Sequence, residues 1–416
     1  MTLSEELTWR GFVNQTTYKD ITVLNGNPIT FYWGVDPSAD SMHVGQLAMA
    51  MMIGHFMRHG HKAFLLVGGA TGLIGDPDGK SEERDLKTVD EVEHNKQAIA
   101  GQYQKLFADQ TFKIVDNYDW FKDIGYLSFL RDVGKHVPMR QMLGREFIQS
   151  RLGEEGAGIS YAEFSYSLIQ GYDFVHLFRE EGVTLQIAGA DQWGNSIAGV
   201  ELIRRMEGAE AHIWTAPLII DKSTGIKFGK SEAGAIWLDP AKTSPTQFYQ
   251  FWINCDDEGV EDYLKVYTLL SKEEVDSLVA DHLQAPQERK AQIKLAEEVT
   301  MLVHGEDAMH TAQAVTNVLT GKMPVSQLDE NVIAAIRQEI PFVQSTEDGS
   351  IINSLIDAGL ASSNTEARRF IEGNAISVNG QKVSRENFEA SDFQNGCLLV
   401  RRGKAYKDSA LVELAN

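Results

Sequence analysis

The sequence is short of several things, and each shortage excludes something. Its 416 residues include only two cysteines, Cys255 and Cys397. They are too few and too far apart for a disulfide framework or a four-ligand zinc site, so a reducing compartment, the cytoplasm, is expected, and no protein-built metal centre. Nowhere do about 18 apolar residues run uninterrupted, and the opening MTLSEELTWRGF has no basic segment leading into an apolar run. Neither a membrane span nor an export signal is therefore expected. Positive charge is scarce as well: 38 Lys and Arg stand against 59 Asp and Glu, a net charge of −21. Such a surface does not wrap nucleic acid as a whole, because phosphate contacts need Lys and Arg, and neither DNA nor a membrane is an expected partner.

What is present is the composition of a globular protein, 43% hydrophobic and 23% charged, with length enough for two or three domains. The acidity is uneven. From Gly349 onward acidic and basic residues balance, so the whole charge deficit lies before that point and the tail reads as a separate module.

The chain is organised around Phe31-Tyr32-Trp33-Gly34-Val35-Asp36-Pro37-Ser38-Ala39-Asp40-Ser41-Met42-His43-Val44-Gly45-Gln46. It reads as a buried strand, a turn enforced by Asp-Pro, and the first turn of a helix. The free N–H groups and positive dipole of such a helix end suit phosphate. His43 can donate to a phosphate oxygen there, and Gly45, without a Cβ, admits a ribose or purine close to the backbone. The competing reading is a helix capped by Ser41 with an incidental histidine.

Residues 1–28 read as helical and polar. Val44, Leu47, Ala48, Met51, Met52 and Phe56 recur at helical spacing up to Gly60, and Ala63–Val67 is a second buried strand. That βαβ unit implies a parallel sheet with a right-handed crossover. A glycine-rich loop, Gly68 to Lys80, follows, and places Asp76 beyond the C-terminal end of a central strand, where open α/β sheets bind ligands. Residues 86–160 read as alternating helical and irregular stretches inserted between the two halves of the sheet. In Glu163–Phe174, Tyr166, Gln170 and Asp173 are spaced i, i+4, i+7 and so share one face of an otherwise apolar helix, where buried polar groups need partners. Val183–Ala188 is a further strand, ending in the polar cluster Asp191-Gln192-Trp193-Gly194-Asn195, and Ala216–Ile220 reads as another. Beyond it Lys227-Phe228-Gly229-Lys230-Ser231 suits a loop that closes on phosphates.

Together these stretches resemble a known family. HVGQ and KFGKS are similar to the HIGH and KMSKS signatures of class I aminoacyl-tRNA synthetases, in order and about 180 residues apart. The tracts YWGVDPSADSMHVG, VGGATGLIGDP, YSLIQGYDF and GADQWGN narrow the resemblance to the bacterial tyrosyl-tRNA synthetases. It implies an α/β fold: a Rossmann-type catalytic domain at 1–230 with a segment inserted near 120–165, an α-helical anticodon-binding domain at 231–330, and an α+β RNA-binding domain of the αL type at 341–416. It implies tyrosine, ATP with Mg2+, and tRNA(Tyr) as ligands, and a homodimer formed through the inserted segment.

The resemblance also implies roles. Tyr32 and Asp173 match the groups that hold the tyrosine phenol, Asp76, Tyr166 and Gln170 those that meet the ammonium, and Thr71 lines the same pocket. Asp36, Asp191 and Gln192 match positions around the substrate carboxylate and the ribose, with Gly45 and Gln46 also on the ATP side. Ser38, His43, Lys80, Arg84, Lys227 and Lys230 match the groups that hold the ATP phosphates. In the tail, two short helices and a hairpin with an Asn-Gly turn are expected, with Arg368, Arg369, Lys382, Arg401, Arg402 and Lys404 as candidate phosphate contacts. Two residues depart from the pattern: Gln46 replaces the second histidine of HIGH, and Trp33 stands where the family often has a small residue, both expected near the ribose. A tryptophanyl enzyme is disfavoured because Tyr32 and Asp173 suit a phenol better than an indole N–H. A catalytically idle RNA-binding relative is disfavoured because Lys227, Lys230, Asp76 and Gln192 are all present.

Overall fold

The computed structural model describes residues 1–77, 86–144, 146–152, 158–222, 224–231, 234–403 and 406–415. Its contacts group Met1–Lys242 with Cys255–Ala291 in one compact unit, and Thr243–Asn254 with Gln292–Asn416 in another. The helical stretch expected at 231–330 is thus divided between the two.

The first unit is built on a sheet of six strands: β1 (Gln15–Thr16), β2 (Thr30–Val35), β3 (Lys62–Val67), β4 (Phe112–Asp116), β5 (Leu185–Gly189) and β6 (His212–Ala216), in the order β1-β6-β5-β2-β3-β4. All neighbours pair in parallel except β1, which runs antiparallel to β6 through Gln15 and Thr215. The central strands are apolar on both faces, as a parallel sheet covered on two sides requires. Phe31, Tyr32, Trp33, Leu65, Val67, Leu185 and Ile187 are all buried.

Three parts of the sheet differ from the sequence reading. The region 1–28, read as helical, contains helix α1 (Leu3–Arg10) but also β1, a strand too short to show an alternation. Inside the stretch read as an insertion lies β4, an edge strand with Lys113 and Ile114 exposed, so its apolar run is broken as edge strands commonly are. The strand read at 216–220 ends where it was expected to begin. The pairing run is His212–Ala216, and Pro217, with no N–H to give, closes it.

Helix α2 (Val44–Arg58) crosses from β2 to β3 and is buried along Val44, Leu47, Met51, Met52 and Phe56. Its last turn is tied to α1. Glu6 accepts from Arg10 Nε at 3.0 Å and lies 3.1 Å from His55 Nδ1 and 2.9 Å from His59 Nε2. Arg10 also donates to the carbonyls of Lys265, Thr268 and Leu270. Helix α3 (Val89–Leu106) leads to β4, and α4 (Tyr161–Glu181) and α5 (Trp193–Glu207) flank β5. Ser160 and Glu163 form a capping box that starts α4, and Gly182, at φ 67°, stops it. Glycine also lets α4 and α5 approach: a Cβ on Gly199 would stand 2.9 Å from that of Phe174. The short strands β7 (Lys230–Ser231) and β8 (Gly234–Ala235) pair antiparallel with each other.

The second unit carries helices α6 (Glu306–Leu319) and α7 (Glu330–Glu339) and a five-stranded sheet of β9 (Phe342–Ser345), β10 (Ile376–Val378), β11 (Gln381–Lys382), β12 (Cys397–Arg402) and β13 (Ser409–Leu414), ordered β11-β10-β12-β13-β9. The expected hairpin is there: β10 and β11 join through Asn379 at φ 47° and Gly380 at φ 83°. Ile352, Leu355, Ile371, Leu398, Val400 and Val412 pack in one core of this unit. Leu399 and Leu411, alternate residues on the same strands, pack instead with Val315, Leu319, Ile336 and Ile340 of the preceding helical region. The tail is therefore not a detached module; its sheet shares a core with α6 and α7.

Candidate active site

The chemistry gathers beyond the C-terminal ends of β2 to β5. Asp36 follows β2, and its two oxygens accept from different elements: Oδ1 from Thr71 Oγ at 2.6 Å and Oδ2 from the Tyr166 hydroxyl at 2.7 Å. Asp116 ends β4 and accepts from the backbone N–H of Gly69 at 3.0 Å, while Asn117 Oδ1 accepts from that of Ala70 at 2.7 Å. The glycines make this possible. A Cβ on Gly68 would fall 2.1 Å from Thr71 Oγ and 2.4 Å from Asp36 Oδ1, and one on Gly69 would fall 2.3 Å from Asp116 Oδ1. From the other half of the sheet, Gln192 Nε2 donates to Asp76 Oδ2 at 2.6 Å, and Asn195 Nδ2 donates to Gln192 Oε1 at 3.2 Å.

The helix face predicted from spacing is realised: Tyr166, Gln170 and Asp173 all lie on α4, and Tyr166 and Asp173 are buried. Asp173 Oδ2 accepts from Asn117 Nδ2 at 3.1 Å and Oδ1 from Trp120 Nε1 at 3.0 Å. Burial pushes its carboxyl well above the usual carboxylate range, against the pull of those two donors. Tyr32 is 2% exposed and its hydroxyl has no hydrogen-bond partner among the described residues. Burial, with the Asp173 charge nearby, holds that phenol protonated far past its ordinary range. Among the described residues Gln170 Oε1 is likewise buried and without a hydrogen-bond partner, as is Gln186 Oε1 on β5. Burial and then the carboxylates of Asp36 and Asp76 raise the Tyr166 phenol too. The pocket therefore offers the carboxyls of Asp36, Asp76, Asp116 and Asp173, neutral phenols and buried amide oxygens, a set complementary to a ligand carrying a cation and a hydroxyl.

The two signature motifs meet. A Cβ on Gly229, which has φ 88°, would stand 3.1 Å from Val44 Cβ and 3.5 Å from the Gly45 nitrogen. Val44 N donates to Ile236 O at 2.9 Å and Ile236 N to Gly229 O at 3.0 Å, so the segment after KFGKS runs alongside the start of α2. Lys227 Nζ lies 3.7 Å from Asp191 Oδ2, and both side chains are exposed. Ser38, next to the Asp-Pro turn, is exposed.

The cap of α2 is not Ser41, whose hydroxyl donates to Met42 O, but His43. His43 Nδ1 accepts from Gly45 N at 3.0 Å, and Gln46 Oε1 accepts from His43 N at 3.0 Å, a reciprocal capping box. With Nδ1 accepting, a neutral His43 carries its proton on Nε2. Gln46 has its carbonyl oxygen on the backbone, which leaves Nε2 as its only donor toward a ligand. Trp33 is 3% exposed with its ring 5.5 Å from Tyr103 of α3, a core contact that leaves little of the indole open to a nucleotide.

Lys80, Arg84 and Lys404 lie outside the described residues, and only the backbone of Lys230 is described. In the tail, Arg369 and Lys382 are exposed, and exposed Arg368 pairs loosely with Glu386 at 3.2 Å. Arg401 and Arg402 depart from the expected outward role. Arg401 donates to Leu319 O and, at 3.0 Å, to Ser409 Oγ; Arg402 donates to Leu360 O at 2.9 Å and Asp408 at 3.0 Å. Both guanidiniums tie the module together. Sequence reasoning missed Asp116, Asn117, Trp120 and Gln186. The available signal was Asp116-Asn117 directly after the run Phe112-Lys113-Ile114-Val115, the same strand-end placement that drew attention to Asp36. Among the described residues no group of three or more His, Cys, Asp or Glu could hold a metal ion, and no helix is long and apolar enough to cross a membrane.

Comparison with known proteins agrees with this geometry. Residues 24–320 match the profile of the tRNA synthetases class I (W and Y), and residues 332–407 that of the tyrosine–tRNA ligase SYY-like C-terminal domain. The chain is 42% identical over 424 residues to tyrosine–tRNA ligase 2 of Bacillus cereus, covering 100% of both. It is 42% identical over 422 residues to the tyrosine–tRNA ligase of Bacteroides fragilis, covering 97% of this chain and 98% of that one. A C-terminally truncated mitochondrial tyrosyl-tRNA synthetase of Aspergillus nidulans superposes with a TM-score of 0.67 at 29% identity, over 75% of this chain and 92% of that one.

Proposed function

Because the chain belongs to the tyrosine–tRNA ligases of class I, we propose that its buried carboxylate pocket reads tyrosine at both ends while the start of α2 holds ATP. Asp173 accepts from the substrate hydroxyl, and the Tyr32 hydroxyl donates to it. Asp76, Tyr166 and Gln170 receive the ammonium, and Thr71 fixes Asp36, which with Asp191 and Gln192 lies toward the substrate carboxylate and the ribose. The observation that carries the reading is the orphaned Tyr32 hydroxyl beside a carboxylate pinned from behind by Asn117 and Trp120. A substrate phenol completes both groups, whereas phenylalanine leaves them buried without a partner.

An oxygen of the tyrosine carboxylate attacks the α-phosphorus of ATP, the bond to the β-phosphate oxygen breaks, and pyrophosphate leaves. A ribose hydroxyl at the 3′ end of tRNA(Tyr) then displaces AMP from the adenylate. The carboxylate is already a nucleophile, so the first step rests on positioning and on neutralising charge at the leaving group. His43 Nε2, Ser38, Lys227 and Lys230, with Lys80 and Arg84, supply that neutralisation. Mg2+ enters on the phosphate oxygens of ATP. Gly45 and the Nε2 of Gln46 face the nucleotide, and Arg368, Arg369 and Lys382 contact tRNA phosphates. Tyrosine-dependent exchange of labelled pyrophosphate into ATP tests the reading. Exchange driven equally by tryptophan or phenylalanine would overturn it.

The protein works in the cytoplasm as a homodimer joined through the inserted segment. Tyr126, Leu127, Met139, Leu143, Leu152 and Tyr161 leave apolar surface exposed there, with Leu127 at 79%. Exposed apolar side chains concentrated in one segment mark an association surface. Leu127→Asp is expected to yield monomers by analytical ultracentrifugation.

A further inference from the structure

Asp173 is held by Trp120, and Trp120 is held in turn by a residue to which no role has been given. His176 lies one turn after Asp173 on α4, and its imidazole stacks on the Trp120 indole with ring centroids 4.3 Å apart and planes 17° from parallel. The indole packs at the rim of the core that contains Phe64, Leu66 and Phe174, and is half-buried. A cavity of 290 Å³ borders it, lined also by Val67, Lys96, Ala100, Ile114 and Asp116. A flat side chain beside open volume has room to pivot, and a pivot of the indole would swing its N–H off Asp173 Oδ1, now 3.0 Å away. The stack opposes it, together with the core packing of the indole.

We propose that His176 is a positioning residue for hydroxyl recognition: by stacking on Trp120 it aims the indole N–H that sets the orientation of the Asp173 carboxylate. This rests on the reading that Asp173 receives the substrate hydroxyl. His176 touches no substrate itself. Its effect reaches the reaction through two side chains, and it acts on tyrosine and not on ATP. What the stack needs is a flat ring, so the imidazole nitrogens are dispensable and a phenyl ring serves.

The test is pyrophosphate exchange by the full-length protein, with tyrosine and with phenylalanine, for His176→Ala, His176→Phe, Trp120→Phe and the double variant His176→Ala/Trp120→Phe. His176→Ala is expected to lower kcat/KM for tyrosine by about 3- to 10-fold, the scale of a lost aromatic stack. It is also expected to narrow the preference over phenylalanine and to leave the KM for ATP unchanged. His176→Phe restores the parent values. In the double variant His176→Ala adds nothing to Trp120→Phe, which has already lost the N–H. An unchanged preference in His176→Ala, a His176→Phe as defective as the alanine variant, or additive losses in the double variant would each overturn the proposal. Tyr32→Phe serves as the control on the underlying reading. If it too leaves the preference for tyrosine unchanged, hydroxyl recognition is misplaced; if it alone changes it, only the role of His176 fails.

Discussion

In the pocket at the ends of β2 to β5 the carboxylates of Asp36, Asp76 and Asp173 are buried or half-buried and held by neutral side chains, whereas in the carboxy-terminal module the charged groups divide into an inward pair and an outward set. Asp173 has its carboxyl raised by burial and each oxygen bound by a different side chain. Arg369, by contrast, stands in water with a distant acidic neighbour at 3.6 Å. Arg401 and Arg402 lie between these extremes, bonded to backbone carbonyls of their own unit. The difference teaches that a charged residue in a candidate site has to be judged by what already binds it. A buried carboxylate with one open lone pair is a specific receptor, an exposed arginine is a general anion contact, and an arginine on carbonyls is a structural tie.

The sharpest test of that contrast is Asp173→Ala. It removes a buried acceptor and leaves the donors of Asn117, Trp120 and Tyr32 buried together, so about 3 kcal/mol of binding is lost, on the order of 100-fold in kcat/KM for tyrosine. Exchange kinetics measure it, and binding of tRNA in a filter assay stays at the parent value. A tRNA affinity that fell with tyrosine use would break the separation between the two regions.

The converse variant carries Arg368→Ala, Arg369→Ala and Lys382→Ala. Exposed phosphate contacts act additively and are screened, so tRNA charging is expected to fall about 10-fold at physiological salt, with a shallower dependence on salt. Pyrophosphate exchange stays at the parent value. Removing residues 341–416 would be a poorer experiment, because Leu399 and Leu411 cover Val315, Leu319 and Ile336.

Gln46 tests the pocket's other wall. Gln46→Ala loses both the cap bond to His43 N and the Nε2 donor, about 1 kcal/mol or several-fold in kcat/KM for ATP. Gln46→Glu keeps an acceptor for the cap, loses the donor and adds a negative charge on the ATP side. If Gln46→Glu matches the parent, the residue acts as a cap alone; if it is impaired for ATP and not for tyrosine, the side chain faces the nucleotide.

The smallest effect expected is on acid stability. Burial alone would raise the Glu6 carboxyl, but the donors His55, His59 and Arg10 hold it well below the usual carboxylate range. Its contribution is therefore present above the unfolded value and lost as pH falls. Burial lowers the His55 imidazole, so the unfolded chain takes up a proton that the folded one resists, and stability falls in the same direction below about pH 6.5. The urea midpoint of the unit containing α1 and α2 should begin to drop below about pH 6.5, where His55 is protonated in the unfolded chain, and drop further below about pH 4.5, where the Glu6 contribution is lost; Glu6→Gln should flatten the second part. An identical slope in the variant would place the acid sensitivity elsewhere.

Much of this was legible in the sequence because it depends on local pattern. Apolar runs before Asp36 and before Gly68 marked β2 and β3, the i, i+4, i+7 spacing marked the polar face of α4, and Asn379-Gly380 marked the hairpin. The edge strands were not legible, since β1 is two residues long and β4 is interrupted by Lys113. Asn117 and Trp120 were passed over for a related reason: their partner, Asp173, is more than fifty residues away, and nothing in either local stretch announces the other.

The sequence by itself determined the alternation of strands and helices, the identity and order of the motifs, and hence the family, because these rest on periodicity and on residues adjacent in the chain. Only the tertiary structure decided which groups meet. It set Gly229 against Gly45, placed Gln46 on the backbone of His43, turned Arg401 inward and closed Asn117 and Trp120 onto Asp173. The physical reason is that hydrogen bonding and desolvation act over a few ångströms in space, and the fold alone converts distances along the chain into distances of that size.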